Sequence, residues 1–370
     1  MTETTVKSAR TYIIKVTGYG SGGEGVARLE DGRAVFIRGA ARGDVLEIKL
    51  TKELQRSARA EITGILEPSP YRIEPDCPYY PECGGCDFRH ITYEEELDAK
   101  LQRVNDAILR VGGLPIRAGG ILRTGKTGGY RNKVVFHSDG VSTGFYRSRS
   151  HEIIRIDRCL LLKDDLNNAV KNLKGGGEKT LRSGRNGLEQ PLEEELDGLV
   201  YGISGFFQIN TGAALLLFNK AREYAAMQKD EVLVDLYCGV GSLTLFAGRD
   251  AGFAIGVERD SAAVEAAREN ARRNGLSYIE FVNADAEKWE TDIANPECVI
   301  VDPPRSGLTP GAVRKIICLS PERIVYVSCD PATLARDLRA LSGYDVKELC
   351  AVDMFPRTAN VECCCLLNKR

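Results

Sequence analysis

The sequence predicts a multidomain chain: a small closed β-barrel over residues 8–67, a small central α+β domain over 68–200, and a C-terminal α/β domain over 201–370. Three observations predict it. Short apolar runs separated by glycine-rich turns crowd residues 8–67, enough for five or so strands of a barrel. Pro68, Pro70, Pro75, Pro78 and Pro81 then punctuate a linker. From Gly202 onward apolar strands alternate with helical patterns, the mark of a mostly parallel sheet with helices on both faces.

Composition bounds the function. A chain of 370 residues with 43% hydrophobic content can build two or three domains with real cores. No apolar run reaches the roughly 18 residues of a membrane span, and residues 1–5 show no apolar signal region. A cytoplasmic protein, acting as a monomer, is expected. In a reducing compartment the 12 Cys are not disulfides, so metal binding, catalysis and burial must account for them. The net charge of −2 announces no polyanion partner, but residues 117–159 carry 9 Lys+Arg against 3 Asp+Glu, and residues 1–60 carry 11 against 7. Either an ordinary solvated surface or a polyanion footprint fits those counts.

The elements follow in order. Within the barrel, residues 12–16, 25–29, 33–37, 45–48 and 60–66 read as strands. A helix is expected over 93–111, with Leu97, Leu101, Val104, Ile108 and Val111 at helical spacing. Thr92 caps it with Glu95 three positions on, and Gly112-Gly113 ends it. Residues 117–200 mix basic strands with the interruption Gly175-Gly176-Gly177. Strands are expected at 232–236, 253–257, 279–282, 298–301 and 323–328, and near Val346 and Cys363. The helix 261–274 is closed by Gly275.

Strand ends carry the polar residues, and in open α/β sheets that is where chemistry sits. Asp235-Leu236-Tyr237-Cys238-Gly239-Val240-Gly241 follows a strand and opens a helix. It lacks the third glycine of a dinucleotide fingerprint, because Thr244 stands there, and it places an acid where a pyrophosphate would be repelled. Glu258 ends the second strand and Asp285 follows the third. Acid, glycine loop, acid, acid suits S-adenosylmethionine, with a dehydrogenase and a turn that binds nothing as the competing readings. The next two strands end at Asp302-Pro303-Pro304-Arg305 and Ser328-Cys329-Asp330-Pro331. Cys329 is a candidate nucleophile or one more small buried hydrophobe. Cys77, Cys83 and Cys86 form a tight thiol cluster that needs a fourth ligand. His90 would complete a zinc site and Cys159 a Cys₄ set suited to a [4Fe–4S] cluster; the spacing does not choose.

Taken together, these motifs resemble the RNA uracil-C5 methyltransferases, in the subgroup with an N-terminal TRAM barrel and an iron–sulfur cluster. The resemblance runs over nearly the whole chain. It implies an OB-like TRAM β-barrel that binds RNA over 8–67, a central iron–sulfur domain over 68–200 whose helix 93–111 packs on the catalytic domain, and a class I (Rossmann-like) S-adenosylmethionine-dependent methyltransferase domain over 201–370. By resemblance Cys77, Cys83, Cys86 and Cys159 hold a [4Fe–4S] cluster. Gln208, Tyr237, Glu258, Asp285 and Asp302 bind the cofactor. Phe206, in Gly205-Phe206-Phe207-Gln208, stacks near the target base. Cys329 is the nucleophile, and Glu362, in Pro356-Arg357-Thr358-Ala359-Asn360-Val361-Glu362, is the general base. Arg131, Lys133, Arg147 and Arg149 are candidates for phosphate contacts. The implied reaction is methylation of uridine C5 in RNA through a covalent adduct of Cys329 with C6, an activity of enzyme class 2.1.1.

Large-subunit (23S) ribosomal RNA is the first substrate expected and transfer RNA the second. A cytosine-C5 methyltransferase, and an RNA-binding module whose catalytic domain has decayed, are the alternatives. The chain departs from the family pattern at Asn360, where the family usually has His. Asn hydrogen-bonds but does not change charge near neutral pH.

Overall fold

The computed structural model describes residues 11–203 and 205–370, so residues 8–10 of the expected barrel and the N-terminal residues 1–5 lie outside the described residues. The chain divides into two compact units. The first takes the residues up to Arg103 together with Phe145–Ile154 and Arg357–Ala359; the second takes Val104–Gly144, Arg155–Pro356 and Asn360–Arg370. The stretch 68–200, expected to be a domain of its own, is shared between the two.

The first unit opens with β1 (Thr11–Lys15), β2 (Gly18–Tyr19), β3 (Gly25–Arg28), β4 (Ala34–Ile37), β5 (Val45–Glu53) and β6 (Ser57–Glu67). They form one six-stranded sheet in the order β1-β5-β6-β4-β3-β2, parallel only between β4 and β6. Alternate side chains point inward, and Ile14, Val35, Ile37, Leu46 and Ile48 share a single core. Helix α1 (Tyr93–Arg110) starts as its sequence requires: the Glu95 N–H donates to Thr92 Oγ1 at 3.3 Å. It ends before Gly113, which takes the left-handed conformation at φ +65° that glycine adopts without a Cβ penalty. On α1, Lys100 and Glu96 form an ion pair of 2.7 Å with both side chains fully buried.

The second unit holds β7 (Ile121–Leu122), β8 (Lys133–Ser138), α2 (Asp164–Val170) and β11 (Gly177–Arg182), while β9 (Thr143–Tyr146) and β10 (Ile153–Arg155) run across the division between the units. β8 runs antiparallel to β11, with Lys133 opposite Arg182. A hairpin of β12 (Glu193–Leu196) and β13 (Leu199–Gly202) leads to α3 (Thr211–Ala225).

The remaining elements build the main sheet: β14 (Val232–Leu236), α4 (Ser242–Gly248), β15 (Phe253–Glu258), α5 (Ser261–Arg273), β16 (Ile279–Asn283), β17 (Cys298–Val301), α6 (Pro310–Leu319), β18 (Arg323–Ser328), α7 (Pro331–Ala340), β19 (Tyr344–Val352) and β20 (Glu362–Lys369). The eight strands lie in the order β16-β15-β14-β17-β18-β20-β19-β7. β16, β15, β14, β17 and β18 are mutually parallel, and β20 is antiparallel to both β18 and β19. Central strands are buried on both faces, which is why β17 reads Cys-Val-Ile-Val without a polar residue. Sequence caps start the helices: Asp260 accepts from the Ala262 and Ala263 N–H groups, and Asp330 from the Thr333 N–H.

Candidate active site

One edge of the main sheet gathers the polar residues. β14, β15, β16, β17 and β18 are parallel, so their C-terminal ends face the same way and deliver Tyr237, Glu258, Asp285, Asp302 and Cys329 to a common rim. β20 runs the other way, so it is its first residue, Glu362, that reaches that rim. Ser328 pairs with Cys363 in the antiparallel ladder. Cys329 and Glu362 are the next residues outward from that pair, and they are close enough for the carboxyl to act on the thiol.

The glycine loop after β14 makes a cradle. Gly239 and Gly241 take φ +55° and +78°, and a Cβ on Gly241 would meet the Phe281 ring at 2.7 Å. Tyr237 also has positive φ, +71°. Glu258 Oε2 accepts from the Gly239 N–H at 3.1 Å, and its Oε1 from the Asp260 N–H at 2.9 Å. Below the loop, Asp235 is buried; its Oδ2 accepts from Thr244 Oγ1 at 2.5 Å, while Oδ1 has no hydrogen-bond partner among the described residues. Burial, with Asp302 and Glu258 adding repulsion, pushes the Asp235 carboxyl up to about 8. Thr244 replaces the third glycine of a dinucleotide loop and is tied to this acid, so the loop is braced from beneath. An acid-braced glycine cradle with a carboxylate at the next strand end fits an adenosyl cofactor better than a pyrophosphate.

The chemical groups influence one another. Burial raises the Cys329 thiol to about 11, with Glu362 and Asp302 reinforcing the shift and Arg305 opposing it. Burial likewise raises Glu362 to about 8, Asp302 adds to that, and Arg305 again opposes. Asp302 itself rises to about 7 through burial. Arg305 is the residue that sequence reading left without a role. It is exposed in the turn after β17, yet its charge pulls both Cys329 and Glu362 toward their charged forms. Its signal was its place: an arginine directly after the Asp302-Pro303-Pro304 strand end.

The thiol's backbone is fixed on both sides. Ser328 Oγ donates to the Asp330 carbonyl at 3.1 Å and accepts from the Asp330 N–H at 3.2 Å. Asp330 caps α7, and Pro331 sits in its first turn, where a missing N–H costs nothing. Phe206 is 69% exposed and its neighbour Phe207 is 2% exposed, so the chain here turns one ring outward and buries the other. Gln208 is buried beside them, and Asn210 caps α3 while donating to the Met354 carbonyl at 3.1 Å. Burial first, then Glu287 and Asp285, raises the Tyr237 hydroxyl to about 12, which relates Tyr237 electrostatically to Asp285.

The structure treats the basic candidates unequally. Arg131 and Lys133 are half-buried at the start of β8, with Arg131 Nε donating to the Lys133 carbonyl at 3.0 Å. In the first unit Arg147 is held by Glu152 and Glu82, and Arg149 by Glu24. Those two are engaged with carboxylates.

The cysteine cluster divides between the units: Cys77, Cys83 and Cys86 belong to the first and Cys159 to the second. All four are half-buried thiols. The Gly85 N–H donates to Cys83 Sγ (3.4 Å) and Arg89 Nε to Cys86 Sγ (3.3 Å). No group of three or more His, Cys, Asp or Glu side chains among the described residues is gathered to hold a metal ion. His90 is otherwise engaged: Nδ1 meets the Tyr80 hydroxyl at 2.5 Å and Nε2 the Ala40 carbonyl at 3.2 Å, and burial lowers it to about 4. Its ring nitrogens are thus spent on the fold, which speaks against the zinc alternative.

Comparison with known proteins agrees with the rim. Residues 292–370 match the tRNA (uracil-5-)-methyltransferase family, residues 6–63 the TRAM domain, and residues 233–303 a general methyltransferase domain. An RNA methyltransferase of Clostridium tetani is 32% identical, with 96% of each chain covered. One of Caldanaerobacter subterraneus subsp. tengcongensis is 33% identical over 98% of this chain and 99% of its own. The chain belongs to the RNA methyltransferase family that joins a TRAM domain to a uracil-5-methyltransferase domain. Its fold is also that of the crystal structure of Pyrococcus abyssi tRNA (uracil-54, C5)-methyltransferase in complex with S-adenosyl-L-homocysteine, at TM-score 0.77 and 24% identity, covering 96% of this chain and 100% of that one. The N-terminal TRAM domain and the C-terminal class I methyltransferase fold are therefore as expected. Among the described residues no helix is long and apolar enough to cross a membrane.

Proposed function

We propose that this RNA methyltransferase methylates C5 of uridine through a covalent adduct of Cys329 with C6 of the base. The observation that supports the reading is the pairing of Ser328 with Cys363 at the ends of β18 and β20, the residues next to Cys329 and Glu362, together with the influence of the Glu362 carboxyl on the Cys329 thiol. S-adenosylmethionine supplies the methyl group that ends on C5. Gln208, Tyr237, Glu258, Asp285 and Asp302 are the residues proposed to hold it, around the cradle of Gly239 and Gly241. Cys329 adds as thiolate to C6, and the electron pair of the C5–C6 double bond makes C5 nucleophilic. After methylation C5 carries a methyl group and a proton. Glu362, as carboxylate, takes that proton, the C6–S bond breaks, and the thiolate leaves. Arg305 eases both steps by favouring thiolate and carboxylate. The base must leave its stack to reach the thiol, and the exposed ring of Phe206 is the surface on which it would stack. Arg131 and Lys133 are proposed to meet phosphate.

Large-subunit ribosomal RNA is the first substrate proposed; the name of the matched family favours transfer RNA as the second. Mapping 5-methyluridine in RNA from cells with and without the protein tests both. Loss at a ribosomal position supports the first, loss at a transfer-RNA position the second, and no loss refutes the activity. We further propose a [4Fe–4S] cluster on Cys77, Cys83, Cys86 and Cys159, with no chemical step assigned to it. About four iron and four sulfide per chain after anaerobic purification is expected; a protein without iron would refute it.

A further inference from the structure

Residues 205–208 lie outside the helices and ladders of the fold, so their backbone carbonyls must find partners elsewhere. Arg182, the last residue of β11, supplies them. Its Nη2 donates to the Phe207 carbonyl at 2.6 Å and reaches the Gln208 carbonyl at 3.5 Å; its Nη1 donates to the Gly205 carbonyl at 3.4 Å. The guanidinium also lies 5.9 Å from the centre of the Phe207 ring. Among the described residues Arg182 forms no ion pair, and its buried Nε has no hydrogen-bond partner. Burial opposes its charge, and Glu194 favours it from beyond ion-pair distance. The side chain spends its fork on a single strip of backbone.

Asn132 holds the far end of that strip, its Nδ2 donating to the Gln208 carbonyl at 3.1 Å and to Thr211 Oγ1 at 3.1 Å. Between the two anchors Phe206 is exposed while Phe207 is buried. A ring held out in water serves stacking only if its backbone does not move.

We infer that Arg182 is a positioning residue: it clamps the carbonyls on either side of Phe206 so that this ring stands as a fixed platform for the target base. The inference rests on the proposed role of Phe206. Its substrate is the flipped or single-stranded pyrimidine of the RNA, and its action passes through Phe206 rather than through contact with the base.

The test is a double-mutant cycle on the full-length protein, read by kcat/KM for RNA and by the rate of covalent trapping with 5-fluorouridine-containing RNA. Arg182→Gln alone is expected to lower both by roughly tenfold, the scale of a small loss of alignment. In a Phe206→Ala background the same change should add almost nothing. Arg182→Lys, which keeps a cation and one donor, should recover part of the loss, and Arg182→Gln should speed amide hydrogen exchange at residues 205–208. If Phe206→Ala weakens RNA handling but Arg182→Gln costs just as much on top of it, the positioning inference is wrong and the platform stands. If Phe206→Ala has no effect, the platform reading fails and the inference with it.

Discussion

Asp44 in the first unit and Asp235 in the second are both buried aspartates, and the fold handles them in opposite ways. Asp44 is paired with Arg72 at 2.7 and 2.8 Å and accepts the N–H groups of Ala41 and Ser69 at 2.6 and 2.8 Å. Its charge is wanted and compensated. Asp235 has a single hydroxyl partner, two like-charged neighbours and one oxygen left over, and its carboxyl rises to about 8. The same contrast separates the units more widely. Arg42 of the first unit is bound by Glu95 and Asp98, whereas Asp302 and Glu362 rise to about 7 and 8 beside a thiol near 11. Compensated charge holds a shape together. Uncompensated acid at a strand end is a proton store, and it marks where chemistry is done.

Substitutions test that division, beginning with the largest expected effect. Cys329→Ala should abolish methyl transfer and covalent trapping by 5-fluorouridine-containing RNA, a loss of at least about 10⁴-fold; an active variant would end the nucleophile role. Glu362→Gln should slow turnover by about 10²–10³-fold while an enzyme–RNA adduct accumulates on denaturing gels. Turnover without adduct would count against Glu362 as the base.

Asp44→Ala should unfold the first unit at lower temperature, costing about 3 kcal/mol, because half-buried Arg72 loses its carboxylate and the Ala41 and Ser69 N–H groups lose their acceptor, while Arg72 keeps the Gly39 carbonyl. Asp235→Asn should do almost nothing below about pH 4. The folded carboxyl is raised above its unfolded value, so the native state binds the proton more tightly and the wild type loses stability as pH climbs from about 4 to about 8. The Asn variant escapes that loss, and its melting temperature should gain on the wild type across that window. A constant gap would mean that Asp235 is ionised throughout. The smallest effect is kinetic. Arg305→Ala should slow iodoacetamide alkylation of Cys329 at pH 8 severalfold, because the cation that opposes the thiol's upward shift is gone.

The second unit was largely legible because buried parallel strands are written as apolar runs with polar ends. Residues 298–301 and 323–328 were bounded to the residue, and each is followed directly by a candidate side chain, Asp302 or Cys329. Thr92 and Glu95 announced the start of α1 in the same local code. The division into units was not legible, because Phe145–Ile154 and Arg357–Ala359 join the first unit from far along the chain, and no local preference records that. Arg305 and Arg182 were not legible either. An arginine that tunes a thiol or clamps a carbonyl looks, in sequence, like any solvated arginine. What distinguishes it is the set of groups its five donors meet.

β20 follows β18 and β19 in sequence but lies between them in the sheet. Until it inserts, the edges of β18 and β19 have no ladder to join them, and Glu362 is not beside Cys329. In synthesis the six-stranded sheet of the first unit and the glycine loop after β14 therefore precede the strand that completes the candidate site. Under the proposed mechanism reactivity would arrive with that single late strand, and an earlier meeting with RNA would form no covalent bond.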